Sequence, residues 1–197
     1  MGQSVVPGTS PLKHDKPFTY RDYKTWPDTE RWELIHGEAY AMSPAPRRVH
    51  QNLLIQIAAQ LDTFFSGKPC RPHIAPVDVF LPEGDEKLDD IEQVVQPDAF
   101  VVCDKDKLID EGVRGAPDFI IEVLSPGTAM KDQTQKRMLY EAQGVREYWI
   151  VNPDTLEVFI YSLDAGHYRL PVAADIRQPT AVKIFPGLML QARPEDL

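Results

Sequence analysis

Cysteine is nearly absent, with only Cys70 and Cys103 in 197 residues. That is too few for the disulfide framework that staples small secreted domains. Long apolar runs are missing as well; none approaches the ~18 residues of a membrane-spanning helix, so no membrane partner is expected. The amino terminus, MGQSVVPGTSPLKHDKPF, lacks a charged stretch followed by an apolar one, and no secretory signal is read there. Together these absences predict a cytoplasmic protein. Positive charge is also in deficit: Lys and Arg total 21 against 30 Asp and Glu, a formal net charge of −9. A field of that sign does not steer a protein toward nucleic acid, so any nucleic-acid chemistry must rest on a local site. The sequence contains no GxxxxGKS/T, GxSxG or HExxH, which removes the signatures of P-loop, serine-hydrolase and zincin chemistry. Cys70 and His73 have the spacing of half a zinc site, but no second close pair supplies the remaining ligands. The cysteines read as ordinary strand residues.

What is present fits one globular domain. Hydrophobic residues make up 43% and charged residues 26% of the chain, an ordinary soluble composition. Residues 1–17 carry Gly, Ser, Thr and Pro without periodicity and read as a loose arm before a single domain over 18–197. WELIHGEAYAM breaks at His36-Gly37, a hairpin signal between two short strands. From His50 to Phe65, apolar residues Leu53, Leu54, Ile57, Leu61 and Phe64 recur at helical spacing. The period then changes to two. PVDVFL, QVVQPDAFVVC, PDFIIEVLS and EYWIVNP read as strands. A second helix is predicted from about Ala129 to Gln143, with Thr128 as its cap and Gly144 as its stop. LEVFIYSL, HYRLPV and AVKIF read as a terminal antiparallel meander. The order predicts a mixed α/β domain.

Several carboxylates lie where carboxylates are costly. Asp98 sits in the otherwise apolar VVQPDAFVV. In PDFIIEVLS, Asp118, Ile120, Glu122 and Leu124 share one strand face. A carboxylate flanked by apolar residues must be paired, protonated or bound to metal. Two of them on adjacent strands would suit a hard cation such as Mg²⁺, which takes one or two protein carboxylates and keeps several waters. The plainer alternative makes Asp98 and Asp118 strand-start residues in Pro-Asp turns, with Glu122 in a salt bridge. On the following helix Asp132 and Lys136 are i, i+4 neighbours. That pair reads either as a solvated salt bridge or as a lysine brought to the acidic site.

Pro97-Asp98 on one strand and Glu122-Val123-Leu124 on another resemble the PD-(D/E)XK nuclease core, with Leu124 in the place of the motif's lysine. The longer string is similar to the Uma-two family of bacterial restriction endonucleases. It comprises WELIHGEAYAMSPAPRRVHQNLL, PVDVFL, VVQPDAFVV, GAPDFIIEVLSPGT, DQTQKRMLYEAQGVREYWIVNP and FPGL. The resemblance implies a restriction-endonuclease-like fold, a mixed sheet flanked by helices, with an N-terminal hairpin and a C-terminal antiparallel meander. It further implies a Mg²⁺- or Mn²⁺-dependent endonuclease acting on DNA, with Asp98 and Glu122 as metal ligands and Lys136 supplied from the helix as the third catalytic residue. Glu38 is the choice for a further polar group completing the metal site. His50, Asp78, Asp118 and Asp132 are supporting candidates. Cutting both strands of a duplex favours a homodimer, for which the strands from Leu156 onward offer an edge. Two alternatives stay open: a non-catalytic binding or regulatory module keeping the fold, and a nuclease acting on RNA or structured DNA.

Overall fold

The computed structural model describes residues 16–27, 30–42, 46–125 and 132–197. In chain order the elements are α1 (Tyr20–Tyr23), β1 (Trp32–Ile35), β2 (Glu38–Ala41), α2 (Arg48–Phe65), β3 (Arg71–Ile74), β4 (Val79–Phe80), β5 (Val94–Val95), β6 (Ala99–Val102), β7 (Leu108–Ile109), β8 (Gly112–Arg114) and β9 (Phe119–Val123). A π-helical turn, Asp132–Lys136, then leads into α3 (Arg137–Ala142). The remainder is β10 (Glu147–Val151), β11 (Glu157–Asp164), β12 (His167–Tyr168), β13 (Val172–Asp175), β14 (Thr180–Ala181) and β15 (Met189–Leu190).

Two sheets carry the fold. The first has the order β2-β1-β5-β4-β8-β7; the second runs β12-β11-β10-β9-β6-β3, with β13 also on β11. In the second sheet β9 and β10 are parallel, whereas β6–β9 and β10–β11 are antiparallel. This is the mixed α/β architecture that the sequence predicts. The second sheet is covered on both faces, which explains why β9 and β10 are buried at every position. On one face Val101, Phe119, Ile121 and Trp149 pack with Leu53, Ile57 and Leu61 of α2. On the other, Phe100, Ile120, Tyr148 and Ile150 meet Val79, Val95 and Val113 of the first sheet and Leu139 and Tyr140 of α3. Glu122 has the parity of Ile120, so it faces this second layer.

The hairpin falls where His36-Gly37 predicts it, with φ of 52° and 67° at those residues, the left-handed pair that a two-residue turn requires. Gly37 has a second reason to be glycine: a Cβ there would lie 2.3 Å from Cβ of Pro17.

Elsewhere the structure corrects the sequence reading. QVVQPDAFVVC is not one strand. Val94–Val95 pairs in the first sheet and Ala99–Val102 in the second, and the chain changes sheets at Gln96-Pro97-Asp98, where proline has no N–H to continue a ladder. RPHI, to which the sequence reading assigns no element, forms β3 at the sheet edge, the place where a strand tolerates a proline such as Pro72. HYRLPV divides at Leu170-Pro171, and of AVKIF only Ala181 lies in a strand. The outer edge of the meander is supplied by β12 and β13, because β11 is paired on both sides. Cys70 and Cys103 are not independent strand residues. They follow the β3–β6 register as opposite neighbours and are joined as a disulfide. No described helix is long and apolar enough to cross a membrane. Residues 1–15 of the expected arm, the Thr128 cap and positions 129–131 of the expected helix lie outside the described residues.

Candidate active site

The change of sheet at Gln96-Pro97-Asp98 brings the site together. The β6–β9 pairing ends at Ala99 opposite Ile121; Asp98 is the residue just before that end on one chain segment, and Glu122 the residue just after it on the other. The carboxylate of Asp98 is anchored at this point, since its Oδ2 accepts the Val123 backbone N–H at 2.8 Å. The same oxygen lies 3.3 Å from Nε2 of His50, in the first turn of α2. Asp98 retains 21% side-chain exposure, so it is the member of the site open to solvent.

Behind it is a buried ionic cluster. Lys136 Nζ lies 2.7 Å from Glu122 Oε1 and 2.8 Å from Glu33 Oε1, and none of the three side chains is more than 4% exposed. Tyr140, one turn beyond Lys136, donates its hydroxyl to the same Glu122 oxygen at 2.9 Å. Glu33 Oε1 also accepts the backbone N–H of Gln96 at 2.9 Å. Lys136 closes the π-helical turn that leads into α3, and its ammonium reaches Glu122. The alternative of a solvated surface lysine does not describe it. The side chain of Asp132 lies outside the described residues, so the expected Asp132–Lys136 pair stays an expectation.

The supporting candidates separate clearly. His50 touches Asp98. Asp78 is linked to the cluster through Gln96, whose Nε2 donates to Asp78 Oδ1 at 2.8 Å. Burial, opposed by the hydrogen bonds from Gln96 and Tyr23, raises the Asp78 carboxyl above its ordinary range. Asp118 belongs to the opposite end of β9. It accepts the Cys103 N–H at 2.7 Å and pairs with Arg146 at 3.2 Å, which is a strand-start role. Glu38 is exposed and accepts the Tyr40 hydroxyl at 2.7 Å. Burial and that acceptor push the Tyr40 phenol up to about 12.

Glu33, not Glu38, is therefore the hairpin acid that meets Lys136. The sequence held a signal for it: Glu33 is flanked by Trp32 and Leu34 in WELI, the same apolar setting that singled out Glu122. Tyr140, four residues after Lys136, shares its helix face and was legible by the same spacing.

Oxygen donors of this kind suit Mg²⁺ or Mn²⁺. Glu33 and Glu122 both meet the ammonium of Lys136, and Asp98 is held at the Val123 N–H next to Glu122. Among the described residues no group of three or more His, Cys, Asp or Glu is arranged to hold a metal. The fit thus rests on Asp98 and Glu122 as the two donors, since Mg²⁺ ordinarily takes one or two carboxylates from a protein.

Three comparisons bear on the fold and on the chain's relatives. A family model for Uma2, described as "Putative restriction endonuclease", matches residues 20–193. The solved structure titled "a putative nuclease belonging to DUF820 from Anabaena variabilis" has the same fold, with a TM-score of 0.67 at 19% identity. The alignment covers 91% of this chain and 97% of that one. No curated protein matches the chain.

Proposed function

This chain belongs to the Uma2 family, and on that premise we propose that it is a Mg²⁺- or Mn²⁺-dependent endonuclease hydrolysing DNA phosphodiester bonds. The reading is supported by the buried Glu122–Lys136 ion pair and by the Asp98 carboxylate, which accepts the N–H of Val123, the residue next to Glu122. Asp98 and Glu122 would hold the divalent ion, which when bound supplies Lewis acidity to a phosphoryl oxygen and lowers the pKa of a coordinated water. The remaining work falls to the chain itself. Glu33 and Glu122 fix the Lys136 ammonium between them, so it enters the reaction already oriented and donates to the oxygen on which charge develops. His50 holds the partly exposed carboxylate of Asp98, and Tyr140 holds that of Glu122; supports of this kind keep ligating carboxylates in place.

The acting species is proposed as a cytoplasmic homodimer, because two sites are needed to cut both strands of a duplex. A net charge of −9 favours a second reading, a regulatory module that keeps the fold without cleavage. A plasmid-nicking assay with Mg²⁺, run beside a single-stranded RNA substrate, separates the readings. Wild type should nick the plasmid and leave the RNA intact, and Glu122→Gln should cleave neither substrate. Nicking that survives Glu122→Gln, or wild type that does not nick at all, refutes the proposal.

A further inference from the structure

One buried polar network lies beside the site without a part in the chemistry above. Gln96 is 8% exposed, and each of its polar groups is engaged. Its Oε1 accepts from Arg31 Nε at 3.1 Å and Nη2 at 2.6 Å. Its Nε2 donates to Asp78 Oδ1 at 2.8 Å and to the Tyr23 hydroxyl oxygen at 3.2 Å. Tyr23 in turn donates to Asp78 Oδ1 at 3.2 Å. Because a guanidinium can only donate, the carboxamide has one orientation here, with oxygen toward Arg31 and nitrogen toward Asp78. The backbone N–H of the same residue points the other way, to the Glu33 oxygen that also accepts from Lys136. Two residues later comes Asp98, and the intervening Pro97 restricts the backbone between them.

We propose that Gln96 is the positioning residue of this site, clamped between Arg31 and the Asp78–Tyr23 pair so that one short bridge fixes both Asp98 and Glu33. The clamp joins α1, the segment before β1 and the segment before β4 to the point where the chain passes between sheets. Rotation of the bridge would shift Asp98 against Glu122 and release Glu33 from the Gln96 N–H. A purely structural glutamine would stabilise the fold without setting those two carboxylates. The consequence for metal binding rests on the endonuclease reading, whereas the geometry is measurable without it.

The test uses the full chain and exploits the fixed polarity of the clamp. Gln96→Glu puts a carboxylate against Asp78, and Asp78→Asn alone still offers Gln96 an acceptor. The double variant restores a donor–acceptor match with the roles exchanged. Calorimetric titration with Mg²⁺ should show about tenfold weaker binding for Gln96→Glu, the low end of what outer supports of metal ligands are worth. Asp78→Asn should stay close to wild type, and the double variant should recover most of the loss. If Gln96→Glu does not fold, Gln96→Met is titrated in its place without the double variant, and the same loss of Mg²⁺ affinity is expected. A melting temperature that falls while Mg²⁺ affinity stays at the wild-type value overturns the inference. Wild type that binds no Mg²⁺ sinks the endonuclease reading instead, and a crystal structure of Gln96→Met then decides this one. Displaced Asp98–Val123 and Glu33–Lys136 hydrogen bonds support it; unchanged bonds refute it.

Discussion

Replacing Lys136 with methionine keeps a stem of similar length and removes only the ammonium. In the wild type that ammonium lies 2.8 Å from Glu33 and 2.7 Å from Glu122, with the two carboxylates 0% and 4% exposed. The variant leaves two carboxylates facing each other out of water. Breaking a buried pair by removing one partner costs about 3–5 kcal/mol, because the uncompensated charge stays behind. For a chain of this size each kcal/mol lowers the melting temperature by about 2–4 °C, so a fall of roughly 6–20 °C is expected. The origin of that loss can be isolated. Glu33→Gln in the Lys136→Met background removes one stranded charge and keeps an acceptor for the Gln96 N–H. It should recover on the order of 1–2 kcal/mol, a coupling visible in a double-mutant cycle from urea unfolding. Nicking by Lys136→Met, measured under conditions where it is folded, should drop by about 10²-fold, the cost of one preorganised donor. If Lys136→Met unfolds within about 1 kcal/mol of wild type and the cycle shows no coupling, the ammonium does not bridge two buried carboxylates.

Divalent metal should stabilise the protein through binding to the native state: at 100-fold over the dissociation constant the gain is about 2.7 kcal/mol. A thermal melt with and without Mg²⁺ measures it, and Glu122→Gln should abolish the gain. An equal gain in that variant places the metal elsewhere. Acid sensitivity should come in part from His73, which stacks on Phe100 at 5.1 Å with Nε2 buried and unpartnered among the described residues. Burial holds this imidazole below its ordinary value of 6.5, so the native state favours the neutral ring. The stability it contributes is present above that value and is lost as pH falls through the lowered one. His73→Phe keeps the stacked ring and removes the proton site; its urea midpoint should decline less than that of wild type between pH 7 and 5. Parallel declines would show that His73 is not the group responsible.

Much of this protein is local and therefore readable. The hairpin follows from His36-Gly37, which adopt the positive φ that a two-residue turn demands. Helix α2 follows from the spacing of Leu53, Ile57 and Leu61. The candidacy of Asp98 and Glu122 followed from charges set among apolar neighbours, and that of Lys136 from the resemblance to the PD-(D/E)XK core, whose strand lysine is Leu124 here. What the sequence could not determine is non-local. Choosing between Glu33 and Glu38 required knowing which hairpin strand lies against β9 and α3. Both are acidic, and only the pairing of β1 with β5 buries the first and leaves the second in water. The Cys70–Cys103 linkage required the β3–β6 register, which sets the two cysteines opposite each other. The run from Gln93 to Cys103 has the pattern of one strand because burial on both faces gives the same apolar string in either sheet. Tertiary packing decides where such a string breaks, and here it breaks at Gln96-Pro97-Asp98. Composition and periodicity report whether a residue prefers to leave water; which other side chain it meets there is set by strand order, and that is a property of the whole chain.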